Sequence, residues 1–222
     1  VTPEQREAAS KALVALKNVD IEVSEIGARA FRYCEGLESV TISGDLTRIG
    51  NEAFYCTGDK SGKPLSVTLP ETVESVGDGA FCGSAVSAIE LPNCRSVGAE
   101  AFQECPNLTS VTLGGVTNLD DMAFQGCAAL KTITIPETVK TIGEKCFEGC
   151  TALAEVTGGE GLKKVGYQAF SDTVWVKDNA EKYLLLGTTL ITYSGIEKND
   201  EVELDEKVTA LAEGGSRGAV GR

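Results

Sequence analysis

Apolar and polar positions alternate along this chain in a pattern that keeps restarting. An Ala-Phe pair recurs at Ala30-Phe31, Ala53-Phe54, Ala80-Phe81, Ala101-Phe102, Ala123-Phe124 and Ala169-Phe170, and Cys146-Phe147 fills the remaining slot. The phenylalanines stand 23, 27, 21, 22, 23 and 23 residues apart. Just upstream comes an aliphatic-Gly pair: Ile26-Gly27, Ile49-Gly50, Val76-Gly77, Val97-Gly98, Ile142-Gly143 and Val165-Gly166, with Leu119-Asp120 as the variant. Three residues before each pair lies a further apolar residue: Val23, Leu46, Val73, Cys94, Val116, Val139 and Leu162. A fixed period of this length is the signature of a stacked-repeat architecture.

Between these blocks run short alternating segments, for example Val40-Thr41-Ile42, Val67-Thr68-Leu69, Val111-Thr112-Leu113 and Ile133-Thr134-Ile135. β-branched residues with period two predict a strand with one buried face. Pro70, Pro92 and Pro136 follow directly and end the ladder, because proline has no N–H to give. The segment from the aliphatic-Gly pair through Ala-Phe to Cys reads as one or two helical turns with Phe, Ala and Cys inward. One coil cannot bury its own apolar face, so stacking supplies the core. The expected fold is therefore α/β: a curved, right-handed solenoid of about seven repeats, a strand from each joining one continuous parallel sheet. At ~4.8 Å per coil the block would be on the order of 35 Å long.

Both ends depart from the pattern. Residues 1–18 open with Thr2-Pro3-Glu4-Gln5, a good helix start, followed by Ala9, Leu13 and Leu16 on one face. This predicts a helix capping the first coil, the alternative being a linker to an upstream domain. Repeats fill residues 19–172. Residues 173–200 read as a hairpin-like insertion, with Gly187-Thr188 as its turn. Residues 201–222 read as a degenerate final repeat and a flexible tail. There Leu204, Val208 and Leu211 keep the spacing of Ile135, Val139 and Ile142, while Gly215 and Ser216 replace Cys146 and Phe147.

The pattern Leu-x-x-Val-Thr-Ile-Pro-x-x-Val-x-x-Ile-Gly-x-x-Ala-Phe-x-x-Cys resembles the BspA-like leucine-rich repeats of bacterial surface proteins. Leu130 to Cys150 carries nearly all of it, with Cys146 in the Ala position. The resemblance implies a non-catalytic interaction or adhesion scaffold, exported or at the cell surface, contacting proteins or glycans through an extended face. A structural spacer that displays another domain is the alternative, with a carbohydrate-active enzyme third. It also implies that hairpin insertions between repeat blocks are ordinary.

Charge narrows the partners. Twenty basic against 33 acidic residues give a net charge of −13, which repels a phosphate backbone and anionic lipid. No apolar run approaches the ~18 residues of a membrane span. The chain begins at Val1 and its one methionine is Met122, so a trimmed chain is expected, with signal and anchor outside it. Histidine is absent, which removes every mechanism built on a His base or ligand. No cofactor and no metal are expected: no phosphate loop or Cys-x-x-Cys pair occurs, and Gly158-Gly159-Glu160-Gly161 occupies a turn position. Asp120-Asp121 and the acidic run Glu197 to Glu206 read as solvated turns.

Of the eight cysteines, Cys34, Cys105, Cys127 and Cys150 stand three residues after a repeat Phe, Cys94 takes a Val slot and Cys146 an Ala slot. These are core positions, where free cysteine acts as a small hydrophobe. Cys56 and Cys82 fall out of register and are the ones expected to be exposed or bridged. The candidate binding residues are the outward strand column Thr41, Thr68, Glu90, Thr112, Thr134 and Thr157, flanked by Ser39, Ser66, Ser110 and Thr132. Hydroxyls in a row suit a glycan or an extended peptide. Threonine also simply suits a half-exposed strand, and both readings stay open here.

Overall fold

The computed structural model describes residues 15–58, 62–179, 183–193 and 208–213. The predicted capping helix lies almost wholly outside these residues, as do the run from Glu197 to Glu206 and the tail from Gly214.

Each coil contributes two strands rather than one. The long strands are β1 (Asn18–Glu22), β3 (Ser39–Ser43), β5 (Ser66–Thr68), β7 (Ala88–Leu91), β9 (Ser110–Leu113), β11 (Thr132–Ile135) and β13 (Glu155–Gly158). The short ones are the aliphatic ends of the aliphatic-Gly pairs: β2 (Glu25–Ile26), β4 (Arg48–Ile49), β6 (Ser75–Val76), β8 (Ser96–Val97), β10 (Asn118–Leu119), β12 (Thr141–Ile142) and β14 (Lys164–Val165). The continuous parallel sheet is the short one, seven strands deep from β2 to β14. The long strands pair only in groups, β1-β3-β5, β7-β9 and β11-β13. The single expected sheet is thus two, and the longer strands make the broken one. Coils are bonded continuously along the short-strand side, while on the other the ladder lapses between β9 and β11 and shrinks between β5 and β7 to the single bridge of Leu65 with Val86.

Glycine in the aliphatic-Gly pair is a matter of clearance. A Cβ on Gly50 would stand 2.6 Å from the Ala28 N, and one on Gly143 would stand 2.5 Å from the Asp121 N. At these positions a side chain presses on the backbone of the preceding coil, whereas at Gly27, in the first coil, a Cβ meets nothing.

The Ala-Phe segment is not helical. Residues two before and two after each Phe adopt positive φ, for example Arg29 (63°) and Tyr33 (61°) around Phe31, or Met122 (56°) and Gly126 (73°) around Phe124. A left-handed residue at every fourth position breaks an α-helix. The segment is instead a chain of tight turns: Ala30 N–H donates to the Gly27 O at 3.3 Å and Cys34 N–H to the Phe31 O at 3.1 Å. Alternate N–H groups leave the coil. Those of Arg29, Phe31 and Tyr33 donate to the carbonyls of Asn51, Ala53 and Tyr55 at 3.0, 2.7 and 2.9 Å. The turn side is therefore a second hydrogen-bonded seam between coils, and the fold is a parallel β-solenoid with little helix.

Inside runs a spine of stacked rings. Phe31, Phe54, Phe81, Phe102, Phe124, Phe147 and Phe170 follow one another at centroid distances of 4.9–5.3 Å, with planes within 10°. Near-parallel rings at that spacing are slid sideways, the favoured offset stack, which adds about 0.5–1.5 kcal/mol per pair beyond burial. The spine ends on Trp175, edge-on to Phe170 at 5.0 Å. Trp175 belongs to α1 (Val174–Asp178), whose N-cap Thr173 accepts the Val176 N–H. An antiparallel pair follows, β15 (Tyr183–Leu186) with β16 (Thr189–Tyr193). β17 (Ala210–Leu211) runs parallel to β16. The Glu213 N–H donates to the Val165 O at 2.8 Å, the bond that Gly166 makes to Ile142 one coil earlier. Glu213 thus stands in the Gly register, one residue later than the match of Leu211 to Ile142 implies.

The slot three residues after each Phe is filled by Cys34, Thr57, Ser84, Cys105, Cys127, Cys150 and Thr173, every one fully buried. These residues do more than fill space. Cys105, Cys127 and Cys150 Sγ donate to the carbonyls of Phe81, Phe102 and Phe124 one coil back, at 3.0, 3.1 and 3.1 Å, and Thr57 Oγ1 donates to the Phe31 O at 2.9 Å. Small donors recur because each adds an inter-coil bond to a carbonyl whose first partner, as for Phe31, Phe81 and Phe124, is the N–H three residues on in its own coil. None of the eight cysteines is joined in a disulfide, and Cys82 is 9% exposed while Cys56 is half-buried.

Candidate interaction surface

Period-two alternation turns one residue of each long strand outward. Thr41, Thr68, Glu90, Thr112, Thr134 and Thr157 are all exposed, while their neighbours Val40, Ile42, Ile89, Leu91, Ile133, Ile135 and Val156 are buried. Backbone register aligns Asp20, Thr41 and Thr68 in one group, Glu90 with Thr112 in the next, and Thr134 with Thr157 in the last. Three short rows therefore take the place of one ladder, because the sheet that carries them is interrupted between β5 and β7 and between β9 and β11. The flanking column is mixed: Ser39 pairs with Asn18 and Ser66, Ser110 with Ala88, and Thr132 with Glu155.

Some hydroxyls are already engaged. Thr134 and Thr157 share a hydrogen bond, Oγ1 to Oγ1 at 3.1 Å, and Ser39 Oγ donates to Asn18 Oδ1 at 2.7 Å. Thr41, Thr68 and Thr112 stand on the same face with their side chains toward solvent.

At the C-terminal ends of these strands the chain bends toward the short sheet, and there the coils leave a shallow furrow of about 950 Å³. Asp45, Glu71, Glu74, Asn93, Arg95 and Thr117 line it, drawn from four successive coils. Thr72 Oγ1 and Asn93 Nδ2 along it donate to the carbonyls of Leu46 and Glu71, so they tie coils together. The furrow has no counterpart in the sequence reading. Its residues recur just beyond the strand-ending position, and only the stacking brings them into line.

On the short-strand side, Asn51, Asp78 and Asp121 lie in one column. Their Oδ1 atoms accept the backbone N–H of Asp78, Ala99 and Glu144 in the next coil, at 3.2, 3.1 and 2.7 Å. This column is a structural clamp. Asp120 is different: burial, with Asp78 and Asp121 nearby, raises its carboxyl above the usual aspartate range. Among the described residues no group of three or more Cys, Asp or Glu side chains is arranged to hold a metal ion. No helix among them is long and apolar enough to cross a membrane.

A family profile described as "BspA type Leucine rich repeat region" matches residues 11–61 and 59–176 in six copies. Among solved structures, the leucine-rich repeat protein of T. pallidum superposes with a TM-score of 0.57 at 27% identity, over 65% of this chain and 66% of that one. A leucine-rich repeat protein from Bacteroides ovatus superposes with a TM-score of 0.56 at 22% identity, over 89% of this chain and 53% of that one. The chain spans just under two thirds of the first and about half of the second. No curated protein matches the chain.

Proposed function

This chain belongs to the BspA-type leucine-rich repeat family, and from that premise we propose that it is a non-catalytic scaffold that binds an extended protein or glycan ligand along its long-strand face, outside the cell or at its surface. The repeat family suggests a protein-interaction scaffold, and the geometry supports one of the extended kind. The observation that carries the reading is the outward column itself. Six residues on six successive coils, Thr41 to Thr157, stand exposed on one face. At about 4.8 Å per coil, such a face meets a ligand in repeated small contacts rather than by enclosure, as stacked-repeat proteins do. The uncommitted hydroxyls of the paired Thr41 and Thr68, and of Thr112 beside Glu90, favour a hydrogen-bonding ligand over an apolar one.

The test is a binding screen of the chain against immobilised extracellular-matrix glycoproteins and a glycan array, with Thr112→Lys/Thr134→Lys measured beside it. A partner whose binding falls at least tenfold in the double variant supports the strand-face site. A partner bound equally by both proteins overturns that site. A chain that binds nothing on either surface overturns the adhesion reading and leaves a spacer.

A further inference from the structure

The eight thiols fall into two chemical situations. Cys105, Cys127 and Cys150 are fully buried and each donates to a Phe carbonyl. Cys94 Sγ donates to the Ser96 O at 3.2 Å, and Cys34 and Cys146 are fully buried. Oxidising the donors would break a buried inter-coil hydrogen bond and would require an oxidant inside the core.

Cys56 and Cys82 stand apart. They occupy the turn side of adjacent coils, two residues after Phe54 and one after Phe81. At the first of these positions the other coils turn side chains to solvent, as Tyr33, Glu104 and Asp172 do. The Cys56 N–H donates to the Cys82 O at 2.8 Å. In a parallel stack that bond seats Cys56 against Gly83 and leaves Cys82 its diagonal neighbour on the same seam, near the ~5.5–6 Å Cα separation usual for a disulfide. The next residue is Gly83, and a Cβ there would lie 2.9 Å from Cys56 Sγ. The Cys56 thiol therefore leans across a bare glycine onto the coil that carries Cys82. Both thiols also neighbour Tyr55, and each contributes to raising its phenol.

We propose that Cys56 and Cys82 are a modification site: a dithiol that closes into an inter-coil disulfide when the protein meets a small-molecule disulfide oxidant, as it would in the extracellular setting argued above. The half-exposed Cys56 thiolate attacks the oxidant's S–S bond, forming a mixed disulfide and expelling one thiolate. Cys82 then attacks Cys56 Sγ and expels the second. Two protein thiols are oxidised, one external disulfide is reduced to two thiols, and the two protons lost by the cysteines end on those products. Burial first, then the neighbouring Cys105 and Cys56, pushes the Cys82 thiol up to about 12. The second step is accordingly the slow one, and it speeds up as pH rises.

The experiment incubates the full chain with oxidised glutathione, alkylates free thiols under native conditions, and maps peptides without reduction. The expected product is one cross-linked pair joining Cys56 to Cys82, two hydrogens lighter, with the other six cysteines alkylated only after unfolding. A Cys56-glutathione adduct should precede it, and Cys82→Ser should halt there. Oxidation should raise the Tm of the parent chain and leave that of Cys82→Ser unchanged. Recovery of Cys56 and Cys82 without a bridge after prolonged oxidation overturns the proposal, as does a bridge among the buried cysteines. An equal Tm rise in Cys82→Ser overturns it too. None of these outcomes depends on the strand face binding a ligand.

Discussion

At the scale of single residues, the repeat is most informative where it is broken. Asp120 occupies the one position in seven coils where the aliphatic pair is completed by something other than glycine. Its side chain stands exposed at the coil surface, and partial desolvation together with nearby Asp78 and Asp121 raises its pKa. The sign follows directly. A group held above its unfolded pKa adds stability that is fully present below the unfolded value and is lost as pH rises through the folded one. The ionised carboxylate is thus a cost at neutral pH. Asp120→Asn should raise Tm at pH 7 by roughly 2 °C, for a gain of about 1 kcal/mol or less given its partial exposure. Thermal melts taken down to about pH 4 should show the two proteins converging. A gap that persists or widens in acid would place the effect elsewhere.

At the scale of the element, the turn that carries Ala-Phe is the piece most easily mistaken from sequence. Its i, i+3 spacing imitates a helix because tight turns bring the same residues together. The distinguishing signal was present: Gly79, Gly83, Gly126 and Gly149 occupy the left-handed positions. It was masked by Arg29, Glu52, Glu100, Glu104, Met122, Lys145 and Gln168, which adopt the same φ without being glycine. These residues tolerate the strain because the inter-coil seam holds them, the Glu104 N–H donating to the Gln125 O at 2.7 Å. Gly126 has φ of +73°, and a Cβ there would lie 2.5 Å from Glu104 Oε1. Gly126→Ala should therefore destabilise by about 1 kcal/mol or somewhat more, read by urea unfolding. Glu104→Ala in the same chain removes the clash and leaves the φ penalty, so it should recover only part of the loss. Full recovery would mean that conformation contributes nothing.

At the scale of the whole molecule, the Phe spine is what makes the coils one body. It ends on Trp175, which is 6% exposed and whose backbone N–H donates to the Leu153 O at 2.7 Å. α1 thereby closes the C-terminal end of the aromatic column that the repeat itself leaves open. In a stacked-repeat protein such an end sets how readily the last coil frays. Trp175→Ala should cost about 3–5 kcal/mol, and the loss should be local. Hydrogen exchange should rise first in the Phe170 coil and least around Phe81. A uniform rise along the spine would show the molecule unfolding as one cooperative unit and would remove the capping role.

The sequence by itself determined the coil. The spacing of seven phenylalanines, the aliphatic-Gly pairs and the alternating strands specify a stack of parallel coils, which of their residues face inward, and which column, Thr41 to Thr157, faces out. These follow from local periodicity, since a side chain's direction is set by backbone conformation over a few residues. Stacking decided the rest. It shows that the short strands form the continuous sheet and the long ones part into groups, so the threonine column is three rows. It shows that Cys105, Cys127 and Cys150 are donors to a carbonyl one coil away, that Trp175 caps the spine, and that the furrow of Asp45, Glu71 and Arg95 exists at all. The contacts between coils among these join atoms more than twenty residues apart through the distance between coils. That distance depends on how every neighbouring pair of coils packs, which no single repeat encodes.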